Sequence, residues 1–302
     1  MLNVELAGTI HSTLNIQHPT FNIPVLSRGM VSAAIVVVIV LGALYAYASY
    51  IRRSSMFFPE KYPSGQWQEA EGQFHPREIW VKAHDGVRLN GWLFSSGNAN
   101  APLIIWCHGN GGNITGRALI AENLRRHGLD VLLFDWRGYG KSEGSPTESN
   151  LYRDVDSVYA FVTQELHKKP EDIVAYGESL GGPYAAWLAL HHKVRCVVIE
   201  NSFPSLRDLG NALYAPLPLG YFAPCSMTTT RWLNKAGVPV LVMHGKRDQV
   251  IPFPLGMRLY DELHVPKQLL VSETAGHCEI PMAEGDRYYD TVTAFVRLSS
   301  RA

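Results

Sequence analysis

Cysteine is scarce in this chain, and an excess of charge of either sign is missing. The 302 residues hold four cysteines, Cys107, Cys196, Cys225 and Cys278. No two of them form a C-x-x-C pair, so the common zinc-binding pattern is excluded. Cys107 and Cys196 fall inside apolar runs and read as buried free thiols, a usage that suits a reducing compartment. Lysine and arginine total 27, and aspartate and glutamate also total 27. With no basic block, the chain has no electrostatic basis for binding nucleic acid. It also lacks an internal repeat, and no stretch is collagen-like in composition. The length suits one large α/β domain with an appendage.

Charge is absent altogether from residues 30–51, MVSAAIVVVIVLGALYAYASYI. As a helix rising about 1.5 Å per residue, this run spans about 33 Å, against about 30 Å for the hydrocarbon core of a bilayer. Tyr45, Tyr47 and Tyr50 cluster toward one end, as an interfacial belt would. A buried core helix rarely stays uncharged for so long. A cleaved signal peptide fits poorly, because the run starts late, exceeds an h-region and is followed by Arg52-Arg53. The expectation is an uncleaved single-pass anchor in a lipid bilayer. Residues 1–29 then form an N-terminal tail, and residues 52–75 a juxtamembrane linker rich in aromatics. Basic residues favour the cytoplasmic side of a spanning helix. Only Arg28 stands close before the run, whereas Arg52, Arg53 and Lys61 follow it. This bias puts residues 52–302 in the cytoplasm.

From residue 76 onward, strand and helix patterns alternate. Residues 78–82 and 88–94 read as a hairpin around Asp85-Gly86. The runs LIIWC (103–107), VLLFD (131–135), DIVAYG (172–177), CVVIE (196–200) and PVLVMHG (239–245) are continuously apolar or nearly so. Such runs suit strands buried on both faces. KQLLVS (267–272) reads as the last strand. Between them, Leu151, Val155, Val158, Val162 and Leu166 keep a helical stripe, as do Tyr288, Val292, Phe295 and Val296. The fold class is therefore α/β: a mostly parallel sheet of about eight strands with helices on both faces, over residues 76–302. Residues 204–237, carrying Pro204, Pro216, Pro218 and Pro224, interrupt the alternation and read as a short lid. Within it, the apolar stretch 212–224, with Leu217 and Phe222, reads equally as the lining of an acyl-chain pocket or as a packed loop.

Gly177-Glu178-Ser179-Leu180-Gly181 is a G-x-S-x-G motif. Its setting between a strand and a helix is that of a nucleophile elbow, which makes Ser179 the candidate nucleophile. A hydroxyl needs a base to take its proton, and that base is best a histidine held by a carboxylate. Asp248 follows the seventh strand, and His277 follows the last one. Both loops lie at the carboxyl edge of the sheet, where active sites of parallel sheets collect. Glu200, at the end of CVVIE, is the alternative acid. His108, His191, His192 and His244 read as structural or surface residues. The turn HGNGGN (108–113) directly follows LIIWC. The backbone amides of Asn110 and Leu180 are the candidate oxyanion donors. This turn lacks the lysine and spacing of a P-loop.

Together these residues resemble the α/β-hydrolase superfamily, and more narrowly its single-pass, membrane-anchored α/β-hydrolase-domain proteins. HGNGGN, DWRGYGKSEG (135–144) and ENSF (200–203) carry the narrower resemblance, which covers about residues 76–300 plus the anchor. It implies that Ser179, Asp248 and His277 are catalytic. Asp135 and Arg137 match a family motif that reads as structural, ordering the loop after the fourth strand. The first reading of the activity is hydrolysis of acyl esters or thioesters through an acyl-enzyme on Ser179, which requires no metal or cofactor. Expected partners are small-molecule or lipid acyl substrates and acylated membrane proteins. A serine amidase or peptidase, and a non-catalytic membrane-anchored binding protein, remain as alternatives, since the fold does not name the substrate.

Overall fold

A computed structural model describes residues 27–216, 220 and 227–299. The chain divides between Ala43 and Leu44 into two units. Helix α1 (Arg28–Ser55) begins in the first. It is long and apolar enough over Arg28–Tyr47 to cross a membrane. Every side chain from Arg28 to Ala43 is exposed.

Among the described residues, the main sheet of the second unit has eight strands: β1 (Arg77–Lys82), β2 (Arg88–Phe94), β3 (Leu103–Cys107), β4 (Asp130–Phe134), β5 (Ile173–Glu178), β6 (Cys196–Glu200), β7 (Val240–Gly245) and β8 (Lys267–Ser272). They form one sheet in the order β8-β7-β6-β5-β3-β4-β2-β1. The pairs β1–β2 and β2–β4 are antiparallel, and all others are parallel. The central strands need apolar side chains on both sides because helices cover both faces. On β3, Leu103, Ile105 and Cys107 enter one core, while Ile104 and Trp106 enter the other. That is the two-residue alternation of a strand.

Nine further α-helices are described: α2 (Trp67–Phe74), α3 (Ala118–Arg126), α4 (Glu148–Gln164), α5 (Gly181–His191), α6 (Leu206–Leu213), α7 (Thr229–Ala236), α8 (Phe253–Asp261), α9 (Ile280–Glu284) and α10 (Asp286–Leu298). Leu151, Val155, Val158 and Val162 of α4 and Leu188 of α5 join the core of Leu103 and Ile105. Leu124 of α3 and Val292 and Val296 of α10 join that of Ile104 and Trp106. Cys107 and Cys196 are buried free thiols, and burial pushes both above the usual thiol range. The segment 204–237 holds α6 and α7. Leu217, Phe222 and Cys225 lie outside the described residues.

Arg137, in the loop after β4, is buried. Its guanidinium grips Asp154 of α4 through Nε at 2.8 Å and Nη2 at 2.5 Å. Nη1 reaches Asp85 in the β1–β2 turn at 2.8 Å. One side chain thus ties the loop to a helix and a hairpin, the structural part expected for it. Arg137→Met is expected to lower unfolding free energy by about 3–5 kcal/mol, because the Asp154 carboxylate is left buried without its cation. Urea unfolding checks this; a loss under about 1 kcal/mol contradicts that role.

Candidate active site

The turn after β5 forces an unusual backbone. Ser179 has φ +55°, in the left-handed region. A residue with a Cβ is held there only if its surroundings over-determine it. The Ser179 amide donates to the Glu200 carbonyl at 2.8 Å. The Ser179 carbonyl accepts from the Gly182 amide at 3.0 Å and from Ser202 Oγ at 2.8 Å. The glycines in and just after the motif answer to close approach. A Cβ on Gly181 would lie 1.8 Å from the Cys107 carbonyl oxygen, and one on Gly182 would lie 2.2 Å from Ser202 Oγ. Helix α5 starts at Gly181, so its positive end faces the serine.

The three residues named from the sequence converge. His277 Nε2 lies 3.0 Å from Ser179 Oγ, and His277 Nδ1 lies 2.8 Å from Asp248 Oδ2. An ionised carboxylate only accepts, so Nδ1 carries the proton and Nε2 is free to take one from the serine. Asp248 is strongly held. Its Oδ1 accepts from the amides of Val250 at 2.9 Å and Ile251 at 2.8 Å. Burial raises its pKa, but the bonds from His277, Ile251 and Asn201 outweigh that and leave it below the usual carboxylate value.

Asn201 is a member of this site that the sequence did not single out. Its Nδ2 donates to Asp248 Oδ2 at 2.5 Å and to the Gly276 carbonyl at 3.3 Å. It is buried, with φ +46°. The only signal was the ENSF stretch at the end of β6, which showed no partner.

Glu200 is occupied elsewhere. It accepts from the hydroxyls of Tyr176 and Tyr288. Burial, reinforced by the charge of Glu178, pushes it up to about 8. Glu178 itself is ionised: burial opposes this, but Arg117 Nη2 at 2.6 Å holds its carboxyl down at about 2. His244 donates through Nε2 to the Ile251 carbonyl at 3.0 Å, and burial lowers its pKa. His192 pairs with Asp156 at 2.9 Å, and His191 bonds the Trp187 carbonyl.

The Asn110 amide follows β3, and the Leu180 amide follows the serine. Among the described residues, no hydrogen bond within the protein takes up either one. Two unspent N–H groups beside the candidate nucleophile are what an oxyanion would need. Among the described residues, no group of three or more histidine, cysteine or acidic side chains is placed to hold a metal.

Comparison with known proteins agrees with this architecture. A family model described as alpha/beta hydrolase fold matches residues 102–229. The uncharacterized protein Rv2307c of Mycobacterium tuberculosis is 31% identical over 272 residues, covering 89% of this chain and 95% of that protein. The uncharacterized membrane protein YNL320W of Saccharomyces cerevisiae is 29% identical, covering 72% of this chain and 78% of the other. Among solved structures, the Pyrococcus furiosus esterase Pf2001 aligns with a TM-score of 0.63 at 22% identity, over 80% of this chain and 98% of that one.

Proposed function

Since the chain belongs to the alpha/beta hydrolase family, we propose that it is a membrane-anchored serine hydrolase of acyl esters or thioesters. The observation that carries this reading is the unbroken relay from Ser179 Oγ through His277 to Asp248, at 3.0 and 2.8 Å. Ser179 attacks the acyl carbonyl as His277 Nε2 takes its proton. The carbonyl oxygen becomes an anion, held by the amides of Asn110 and Leu180. His277 then protonates the leaving alcohol or thiol, and an acyl-enzyme remains on Ser179. Water, deprotonated by His277, releases the acid. Asp248 keeps the imidazole in one tautomer and stabilises it when charged. The esterase Pf2001 supports the ester reading. Helix α1, and the membrane-protein relative, support an anchor. Substrates are then acyl lipids or acylated proteins in the same membrane, presented at high local concentration. Basic residues after the apolar run support a cytoplasmic catalytic domain.

One assay tests these parts together. Sealed, right-side-out vesicles carrying the full chain are given membrane-impermeant aryl esters and thioesters of rising acyl length, and matching anilides. Hydrolysis is expected to be latent until detergent opens the vesicles. Esters and thioesters are expected to turn over at least about 100-fold faster than anilides, a gap of about 2.7 kcal/mol in barrier. Comparable anilide turnover points to an amidase. Full activity in sealed vesicles places the domain outside.

A further inference from the structure

An oxyanion donor works only if it is already in place when charge develops. The donor loop here is poorly suited to hold itself. Gly109, Gly111 and Gly112 surround Asn110, and glycine restricts the backbone least of all residues. Something outside the loop must fix it.

The fixing groups come from the segment between α1 and the catalytic domain. Phe58-Pro59 pairs in parallel with Gly111-Gly112. The Phe58 amide donates to the Asn110 carbonyl at 2.8 Å, and the Glu60 amide donates to the Gly112 carbonyl at 3.4 Å. In return, Asn113 Nδ2 donates to the carbonyls of Glu60 at 3.2 Å and Ser64 at 3.0 Å. The Asn110 carbonyl accepts a second bond, from Tyr139 Oη, also at 2.8 Å. The segment is itself clamped. The Tyr62 amide donates to the Gly140 carbonyl, and the Gly140 amide donates to the Glu60 carbonyl. Met56 and Trp67 are buried. Gly65, with φ +103°, sits so close that a Cβ there would lie 2.7 Å from Thr115 Oγ1. This stretch, expected as a linker, is a wall of the catalytic unit.

Two peptide planes set where the Asn110 N–H points. In a trans peptide, N–H and C=O point in opposite directions. His108 Nδ1 lies 2.8 Å from the Gly109 carbonyl and donates to it, which aims the Asn110 N–H the other way. Phe58 and Tyr139 pin the next plane through the Asn110 carbonyl. With both planes held, rotation about Asn110 is blocked on either side.

We propose that Phe58, through its backbone amide, and Tyr139, through its hydroxyl, are positioning residues that hold the Asn110 N–H on the oxyanion. The segment after α1 thereby supports the donor loop through its main chain, not through the Phe58 side chain. This rests on the serine-hydrolase reading above.

The test uses the detergent-solubilised full chain. Phe58→Pro removes the amide donor. Phe58→Ala keeps it and removes only a side chain that is 55% exposed. With a short-chain aryl ester, Phe58→Pro is expected to lower kcat about tenfold with KM within about twofold, since the oxyanion exists only past the ground state. Its affinity for an acyl trifluoromethyl ketone, whose adduct with serine bears that oxyanion, is expected to fall by the same factor. Phe58→Ala is expected to restore both to within about twofold of the parent, and Tyr139→Phe to shift both as Phe58→Pro does. An unchanged kcat in Phe58→Pro overturns the proposal. So does an equal loss in Phe58→Ala, or a lower kcat with unchanged ketone affinity. Should Phe58→Pro fail to fold, Tyr139→Phe decides by the same two readouts. Fluorophosphonate labelling of Ser179→Ala separates the two levels. Labelling that survives there brings down the serine-hydrolase reading; labelling lost there, with Phe58→Pro matching the parent, brings down only the positioning of Asn110.

Discussion

Ser179→Ala is expected to abolish fluorophosphonate labelling and to lower kcat on esters by about 10⁶. The size follows from the part the hydroxyl plays. His277 Nε2 has its proton donor at 3.0 Å, and alanine leaves it none. No acyl-enzyme can form, and the single difficult step that remains is direct attack by water. Some acceleration over the uncatalysed reaction survives, on the order of 10³, because the oxyanion amides and the binding surface remain. The fold itself is expected to tolerate the change. Ser179 is held through its backbone, by the Glu200 carbonyl, Gly182 and Ser202, and alanine keeps those bonds. The cost is confined to a Cβ residue at φ +55°, which serine already bears. Activity lost together with the thermal transition therefore does not count as support; a folded, unlabelled and inactive variant does. Labelling equal to the parent's removes Ser179 from the mechanism.

Much of this was legible in the residues because the central strands are buried on both faces. Runs such as LIIWC and CVVIE have no polar side to blur their ends, and β3 and β6 occupy those very residues. The serine could be placed because a strained turn permits only small neighbours, and that demand leaves a local mark. That Asp248 and His277 would converge on Ser179 could be foreseen because the loops of a parallel sheet meet at one edge. What stayed hidden depends on contacts between distant parts of the chain. Phe58 and Asn110 are joined by backbone atoms, which no side chain advertises. The segment around Phe58 has neither two-residue nor helical periodicity, and so it read as a linker. Asn201 was hidden for a similar reason: its partners, Asp248 and Gly276, come from two later loops. The helices α2 and α6, eight residues each, are too short to leave a clear periodic stripe.

Asp248→Asn is expected to lower kcat about 10⁴-fold, with the fold intact. The amide must choose between two unfavourable orientations. If its NH₂ replaces Oδ1, it faces the amides of Val250 and Ile251, now 2.9 and 2.8 Å from an acceptor, and donor meets donor twice. If its NH₂ replaces Oδ2, it faces Asn201 Nδ2 and His277 Nδ1. The imidazole answers by moving its proton from Nδ1 to Nε2, so that Nδ1 accepts. That tautomer presents an N–H to Ser179 Oγ and cannot take its proton. The imidazolium formed during attack also loses its counter-charge. Glu200→Gln is the informative companion. Burial and Glu178 hold the Glu200 carboxyl at about 8, so at neutral pH it is mostly a neutral acid between two tyrosine hydroxyls. A neutral amide of the same shape changes little there, and kcat is expected to stay within about tenfold of the parent. Steady-state rates on one aryl ester, with circular dichroism to confirm folding, decide the matter. A crippled Glu200→Gln beside a mild Asp248→Asn assigns the orienting role to the other carboxylate. The reverse outcome means that the 2.8 Å contact between His277 and Asp248 sets the tautomer on which the whole reaction depends.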